Sequence, residues 1–224
     1  MNILIIAATK FEIEELYDFL RINGKTLASD EYRFRDHTFH VHVTGVGSLL
    51  TSFAISRLAL SHSFDLAINV GIAGSFNNGL TPGTVVEVVR DAFADLGSEN
   101  ADGSFNNVFE MNLMDKNTFP FSEGWLYPKT PTQLRLNIPK ANGITVNMVS
   151  GNQDSINRMK EKYLPDVESM EGAGFFYACM MLHIPSVQIR AISNYVEPRN
   201  KSNWKMEETV TNLNNCVIDQ IKSI

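Results

Sequence analysis

A carboxylate that leads into a buried segment needs a partner, and the stretch VESMEGAGFFYACMMLHIP (167–185) offers two such groups. Glu168 and Glu171 come just before a run apolar enough to read as a buried helix. An ionised carboxylate buried alone costs several kcal/mol, so hydrogen-bond donors or a cation are expected beside Glu171. A third acid, Glu12, occupies the junction AATKFEIEEL after the first apolar run, where it also suits the first turn of a helix. In NVGIAGS (69–75), Gly71, Ile72, Ala73 and Gly74 fall at the end of a strand, and glycines there let backbone N–H groups approach a flat or polyhydroxylated ligand. RAISNYVE (190–197) is a second strand end, beginning at Arg190 and presenting Ser193 and Asn194. An asparagine amide donates from nitrogen and accepts on oxygen, which matches the edge of a heterocycle. A turn-forming asparagine after a strand is the plainer reading of the same residue.

These groups need elements that bring strand ends together. Asn2 to Ala8 is a continuous apolar run, as in a strand buried on both faces. A helix follows, marked by Phe11, Leu16, Phe19 and Leu20 and closed by Gly24. FHVHVT (39–44) alternates as a strand, TGVG (44–47) leads into a helix over Leu49 to Leu60, and FDLAINVGIAG (64–74) is a strand ending in a Gly-rich turn. GTVVEVV (83–89), GITVNMVS (143–150) and SVQIRAIS (186–193) read as further strands. Helical patterns cover Ile156 to Tyr163, the apolar stretch after Glu171, and a final amphipathic segment with Val210, Leu213, Val217, Ile221 and Ile224 on one side. Residues 91–142 show little periodicity, the mark of a lid or an interface excursion. The alternation predicts an α/β fold with one central sheet, in one domain over residues 1–224.

Several functions are disfavoured. The net charge of −6, without a Lys/Arg cluster, argues against a nucleic-acid surface. No apolar run is long enough to span a bilayer, and the start carries no basic, signal-like segment, so a cytoplasmic location is expected. Cys179 and Cys216 have no paired spacing, and Cys179 reads as a core residue. His37, His40, His42, His62 and His183 show no metal spacing, although His40 and His42 could face solvent together. The first strand–helix junction lacks the glycines of a dinucleotide site.

In order and spacing, these pieces resemble the nucleoside phosphorylase/nucleosidase superfamily over nearly the whole chain. SMEG before a buried helix resembles the EMEA element of methylthioadenosine/S-adenosylhomocysteine nucleosidases, RAISN resembles their RAISD, and NVGIAG resembles their purine-side loop. The longer strings GNQDSIN, DVESMEGAGFFY and RAISNYVEPRNKSNW, with FPF in the excursion, resemble the futalosine hydrolase branch most.

The resemblance implies a three-layer fold with a central mixed, twisted sheet, a homodimer or larger homo-oligomer, and neither cofactor nor metal. It implies that Glu12 activates a water. It implies that Glu171 accepts hydrogen bonds from the ribose 2′- and 3′-hydroxyls, with Met170 packed on the sugar. A helix N-terminus beside Glu171 favours its ionised form by up to ~2 kcal/mol. Asn194 stands where adenine-releasing relatives carry an acid, Ser169 where they have a glutamate, and Ile72 where they have a serine. An amide cannot protonate N7 but can donate to N7 or O6 of a 6-oxopurine, which favours hypoxanthine over adenine. Asp154 and Ser155 stand near the place of the base-stacking aromatic in those relatives. Trp204 falls near the 5′ side of the ribose, where it would pack on an aryl extension whose carboxylate Arg199 would pair. The rival expectations are an adenine-releasing nucleosidase, disfavoured by Asn194; a phosphorylase, disfavoured because AATKFEIEEL carries no arginine; and a non-catalytic nucleoside-binding protein, disfavoured by two acids.

Overall fold

The computed structural model describes residues 1–129, 134, 136–198 and 205–224. The chain runs β1 (Asn2–Ala7), a 3-10 turn (Lys10–Ile13), α1 (Glu14–Asn23), β2 (Lys25–Ala28), β3 (Glu31–Phe34), β4 (His37–Val43) and α2 (Ser48–Ala59). It continues through β5 (Leu66–Ser75), β6 (Val85–Arg90), β7 (Gly97–Glu99), β8 (Phe105–Asn107), β9 (Phe121–Ser122), β10 (Trp125–Leu126) and β11 (Lys140–Thr145). The last elements are α3 (Gln153–Tyr163), β12 (Val167–Ser169), α4 (Gly172–Met181), β13 (Ser186–Tyr195) and α5 (Met206–Ser223).

One mixed sheet, in the order β12-β11-β6-β13-β5-β1-β4-β3-β2, carries the fold. β1, β4, β5 and β13 run parallel, whereas β6 is antiparallel to β13. β12 also pairs antiparallel with the end of β5, so five strands form a closed ring of pairings around the carboxyl ends of β5 and β13. Alternation decides the layers, because successive side chains of a strand point to opposite faces. Ala67, Ala73 and Ile192 meet Phe175, Phe176 and Ile55, on the side of α2 and α4. Leu66, Ile68, Val70, Val187 and Ile189 meet Leu16, Leu20, Leu213 and Val217, on the side of α1 and α5. The α/β architecture with helices on both faces of a mixed sheet therefore stands. Among the described residues no helix is long and apolar enough to cross a membrane.

Several local expectations need correction. The strand expected over 143–150 is β11, three residues earlier, and β2, β3 and β12 were not foreseen. β2 is exposed along its length, so no hydrophobic pattern marks it. Glu168 does not begin a helix: it lies in β12, and α4 starts only at Gly172. Residues 91–142 hold the two short hairpins β7–β8 and β9–β10. Gly24 does close α1, but with φ −105°, so left-handed geometry is not the reason. A Cβ there would lie 2.7 Å from the Leu20 carbonyl oxygen, and the close approach requires glycine. The Gly-rich turn expected at 71–74 is continuous strand. His40 is buried against His62 and Phe64 rather than facing solvent.

Candidate active site

The sheet's central strand ends gather the expected acids around one cation. Arg190 projects from β13 with none of its surface exposed, beside Glu12 (5% exposed) and Glu171 (6%). Its Nη2 lies 3.7 Å from Glu171 Oε2. If Gly71 had a Cβ, that atom would stand 2.0 Å from Arg190 Nη1 and 3.0 Å from Glu12 Oε1. Gly71 thus makes room for the guanidinium inside a strand, which corrects its reading as a ligand-approach turn. Gly71→Ala should drive the guanidinium out of place, costing several kcal/mol of stability by the usual scale of overpacking and lost buried pairing. A thermal melt reads this directly, and an unchanged midpoint would refute the crowding.

Each acid is aimed by backbone. Thr9 ends the connection from β1, and its N–H and hydroxyl both donate to Glu12 Oε2, at 2.8 and 2.9 Å. The Ile72 N–H donates to Glu12 Oε1 at 3.2 Å. From α5, Asn214 donates to the Glu12 carbonyl at 3.0 Å and accepts from the Leu16 N–H, pinning the 3-10 turn to the last helix. Burial raises the Glu12 carboxyl above its usual 4.5, with the Arg190 charge and the Thr9 hydrogen bond pulling the other way. Glu171 precedes α4 as its N-cap residue, and its Oε1 accepts from the Gly47 N–H at 3.0 Å. The partner demanded by the sequence is therefore supplied within the chain, by Arg190 and the TGVG loop. Gly47 reaches this position with φ +105°, a conformation that favours glycine.

Of the five N–H donors of the Arg190 guanidinium, only the one on Nε has a hydrogen-bond partner. Its Nε donates to Gln188 Oε1 at 3.0 Å, but Nη1 and Nη2 have no hydrogen-bond partner although both are buried. Buried donors left unsatisfied are costly and rare. Here they lie between two carboxylates, where a water or a substrate hydroxyl would satisfy them.

The other expected residues fall around this centre. Ser193 donates to Asn194 Oδ1 at 2.8 Å and to the Ala73 carbonyl at 3.3 Å, while Asn194 Nδ2 donates to the Tyr195 carbonyl at 2.8 Å. That pattern fixes the amide orientation and leaves one Nδ2 hydrogen for another acceptor. Asn194 pairs with Gly74, and Glu168 of β12 pairs with Gly74 from the other side. Glu168 accepts from the N–H and hydroxyl of Ser150, which secures the segment leading to α3. Ser169 accepts from the Gly172 N–H at 3.3 Å, and Met170 is half-buried. Arg199 and Trp204 lie outside the described residues. A cavity of 890 Å³ opens between the β7–β8 hairpin, residues 148–152 and α3, and it touches none of Glu12, Glu171, Arg190 and Asn194.

Thr9, Gly47 and Asn214 were not anticipated as site residues. Thr9 had a signal: it stands three residues before an acid, the spacing of a capping box. Asn214 had a weaker one, as a polar residue inside the buried side of α5.

Residues 2–222 match the family model described as "Phosphorylase superfamily", and the chain belongs to that superfamily. It is similar to the futalosine hydrolase of Thermus thermophilus, with 28% identity over 199 residues, covering 88% of this chain and 87% of that protein. Among solved structures, the 5′-methylthioadenosine/S-adenosylhomocysteine nucleosidase of Neisseria meningitidis, in complex with methylthio-immucillin-A, superposes with a TM-score of 0.81 at 18% identity, covering 100% of this chain and 99% of that one. The native futalosine hydrolase of Helicobacter pylori gives 0.80 at 12% identity, with 100% and 98% covered. At such identities the two structures establish the shared fold.

Proposed function

We propose that this chain is a purine nucleosidase that hydrolyses the N-glycosidic bond of futalosine, releasing hypoxanthine and dehypoxanthine futalosine for menaquinone biosynthesis. The observation that carries the reading is the convergence of Glu12 and Glu171 on Arg190, whose Nη1 and Nη2 are buried without a hydrogen-bond partner. The name borne by the Thermus thermophilus relative supports the substrate. So does the Asn194 amide, whose remaining Nδ2 hydrogen suits N7 or O6 of a 6-oxopurine.

In this mechanism the C1′–N bond lengthens first, its electrons leave with the base, and the departing hypoxanthine takes a proton from a water, since the Asn194 amide donates a hydrogen bond but not a proton. Glu171 accepts from the ribose hydroxyls and its charge offsets the oxocarbenium forming beside it. A water held by Arg190 gives its proton to Glu12 as its oxygen bonds to C1′. Ile72, Ala73 and Gly74 line the base side together with Ser193 and Asn194, Ser169 stands on the purine side, and Met170 packs on the sugar. Trp204 packs on the aryl extension of the substrate, and Arg199 pairs with its carboxylate. Residues 1–224 act as one cytoplasmic domain, without cofactor or metal. The protein works as a homodimer or larger homo-oligomer. The apolar side chains of α2 support that assembly, with Leu49 79%, Phe53 66% and neighbouring Leu60 87% exposed.

Two measurements test this reading. Purified protein is incubated, without phosphate, with futalosine, inosine, methylthioadenosine or S-adenosylhomocysteine, and the free base is identified. Hypoxanthine from futalosine is expected to dominate, whereas preferential release of adenine would move the assignment to the adenine-releasing nucleosidases. The second is the pH profile. Glu12 must be ionised to accept a proton, so kcat/KM should rise with pH along an acid limb centred above 4.5. Stability runs the other way: a carboxyl raised in the folded state favours folding below its unfolded value, and that contribution is lost as pH rises through the folded value. An acid limb centred below 4.5 would remove Glu12 from the proton-accepting role.

A further inference from the structure

A further buried carboxylate stands behind the site, and the proposed mechanism makes no use of it. Asp91 follows β6 and is 1% exposed. Three donors meet it: the Ala92 N–H at 2.8 Å and the Thr145 hydroxyl at 2.9 Å on Oδ1, and Gln188 Nε2 at 3.0 Å on Oδ2. With Nε2 committed to Asp91, the Gln188 amide must turn Oε1 toward Arg190, where it accepts from Nε at 3.0 Å. The chain Asp91–Gln188–Arg190 is buried throughout and ends between Glu12 and Glu171.

Two glycines make room for this junction. A Cβ on Gly172, the residue after Glu171, would stand 2.1 Å from Asp91 Oδ2 and 2.2 Å from Gln188 Oε1. A Cβ on Gly143 of β11 would stand 2.9 Å from Asp91 Oδ2. The Thr145 hydroxyl that donates to Asp91 also accepts from the Ala173 N–H at 2.7 Å, so the same carboxylate steadies the first turn of α4.

We propose that Asp91 is a positioning residue for the nucleosidase reaction: as an obligate acceptor it sets the polarity of the Gln188 amide, which holds the Arg190 guanidinium in its plane between the two acids. The proposal rests on the nucleosidase reading only for its kinetic consequence. Burial pushes the Asp91 carboxyl up to about 6, against the hydrogen bonds from Gln188 and Thr145, so at neutral pH it remains an acceptor.

The polarity argument supplies its own test. In Asp91→Asn the new amide donates toward Gln188, which must reverse and set Nε2 against Arg190 Nε, donor against donor. Adding Gln188→Glu restores an acceptor to both neighbours at unchanged net charge. Asp91→Asn should lower kcat by about tenfold or more, the scale of losing an orienting partner, with KM changed much less. Gln188→Leu should do the same while leaving the Thr145 contact intact, and it carries the test if Asp91→Asn does not fold. The double variant should recover most of the loss. The Arg190 Nε–H resonance should shift in both single variants and return in the double variant, whether or not any nucleoside is turned over. A wild-type protein inactive on every nucleoside would sink the nucleosidase reading, and the resonance would still judge the link. Unchanged kcat and resonance in Asp91→Asn, or no recovery in the double variant, would overturn the proposal.

Discussion

Glu12→Gln should lower kcat by about 10²–10⁴-fold, which is about 3–5 kcal/mol of barrier, while leaving KM within a few-fold of the wild-type value. The glutamine can turn its carbonyl to the Thr9 N–H and hydroxyl, giving up only the longer contact from the Ile72 N–H at 3.2 Å, so the local fold has a way to survive. What it loses is the capacity to take a proton from water. Binding of the intact nucleoside, measured by calorimetry, should therefore persist. Equal losses in binding and turnover would place Glu12 in recognition rather than in proton transfer.

Arg190→Met should be the most damaging change to stability. The guanidinium is fully buried and is the cation that Glu12 and Glu171 share. Removing one partner of a buried ion pair costs about 3–5 kcal/mol, because the remaining charge has no compensation. For a domain of this size each kcal/mol shifts the melting midpoint by roughly 2–4 °C, so a fall of about 10 °C is expected. The Glu12 carboxyl, relieved of the Arg190 charge that lowers it, should titrate still higher, and any residual activity should show its acid limb at higher pH. Arg190→Lys would restore charge without the two-pronged donor geometry, so it should recover stability more than activity. A melting midpoint unchanged in Arg190→Met would mean that the two acids are not held by this residue.

Much of this arrangement could be read before any coordinates. β1 is buried on both faces and writes a continuous apolar run, α4 does the same, and β5 and β13, also buried on both faces, write apolar runs interrupted by Asn69 in the one and by Gln188 and Arg190 in the other. Glu12 and Glu171 stand out beside such runs as acids, one in the turn after β1 and one just before α4, whereas Arg190, read at a strand end, lies in the middle of β13. β12 left no trace, since three residues carry no period and its place depends on β11 and β5, distant in sequence. Gly47 was read only as part of the stretch leading into α2, because what it supplies is a backbone N–H, invisible in residue type. Gln188 and Arg190 did leave a signal. They are polar residues two apart in an apolar strand, which puts both on one face, and a strand buried on both sides must satisfy them together. Asp91 completes that pairing from the position after β6, beyond the reach of any local pattern.

The central claim is that one ribose sits between Glu12 and Glu171 and loses its base to a water held at Arg190. Hydrolysis of futalosine in H2¹⁸O, without phosphate, followed by mass spectrometry of the sugar product, tests it most directly. One ¹⁸O atom at C1′ per hypoxanthine released is predicted for the wild-type protein, with the rate collapsing in Glu12→Gln. Absence of the label, or release of base only when phosphate is added, would contradict it.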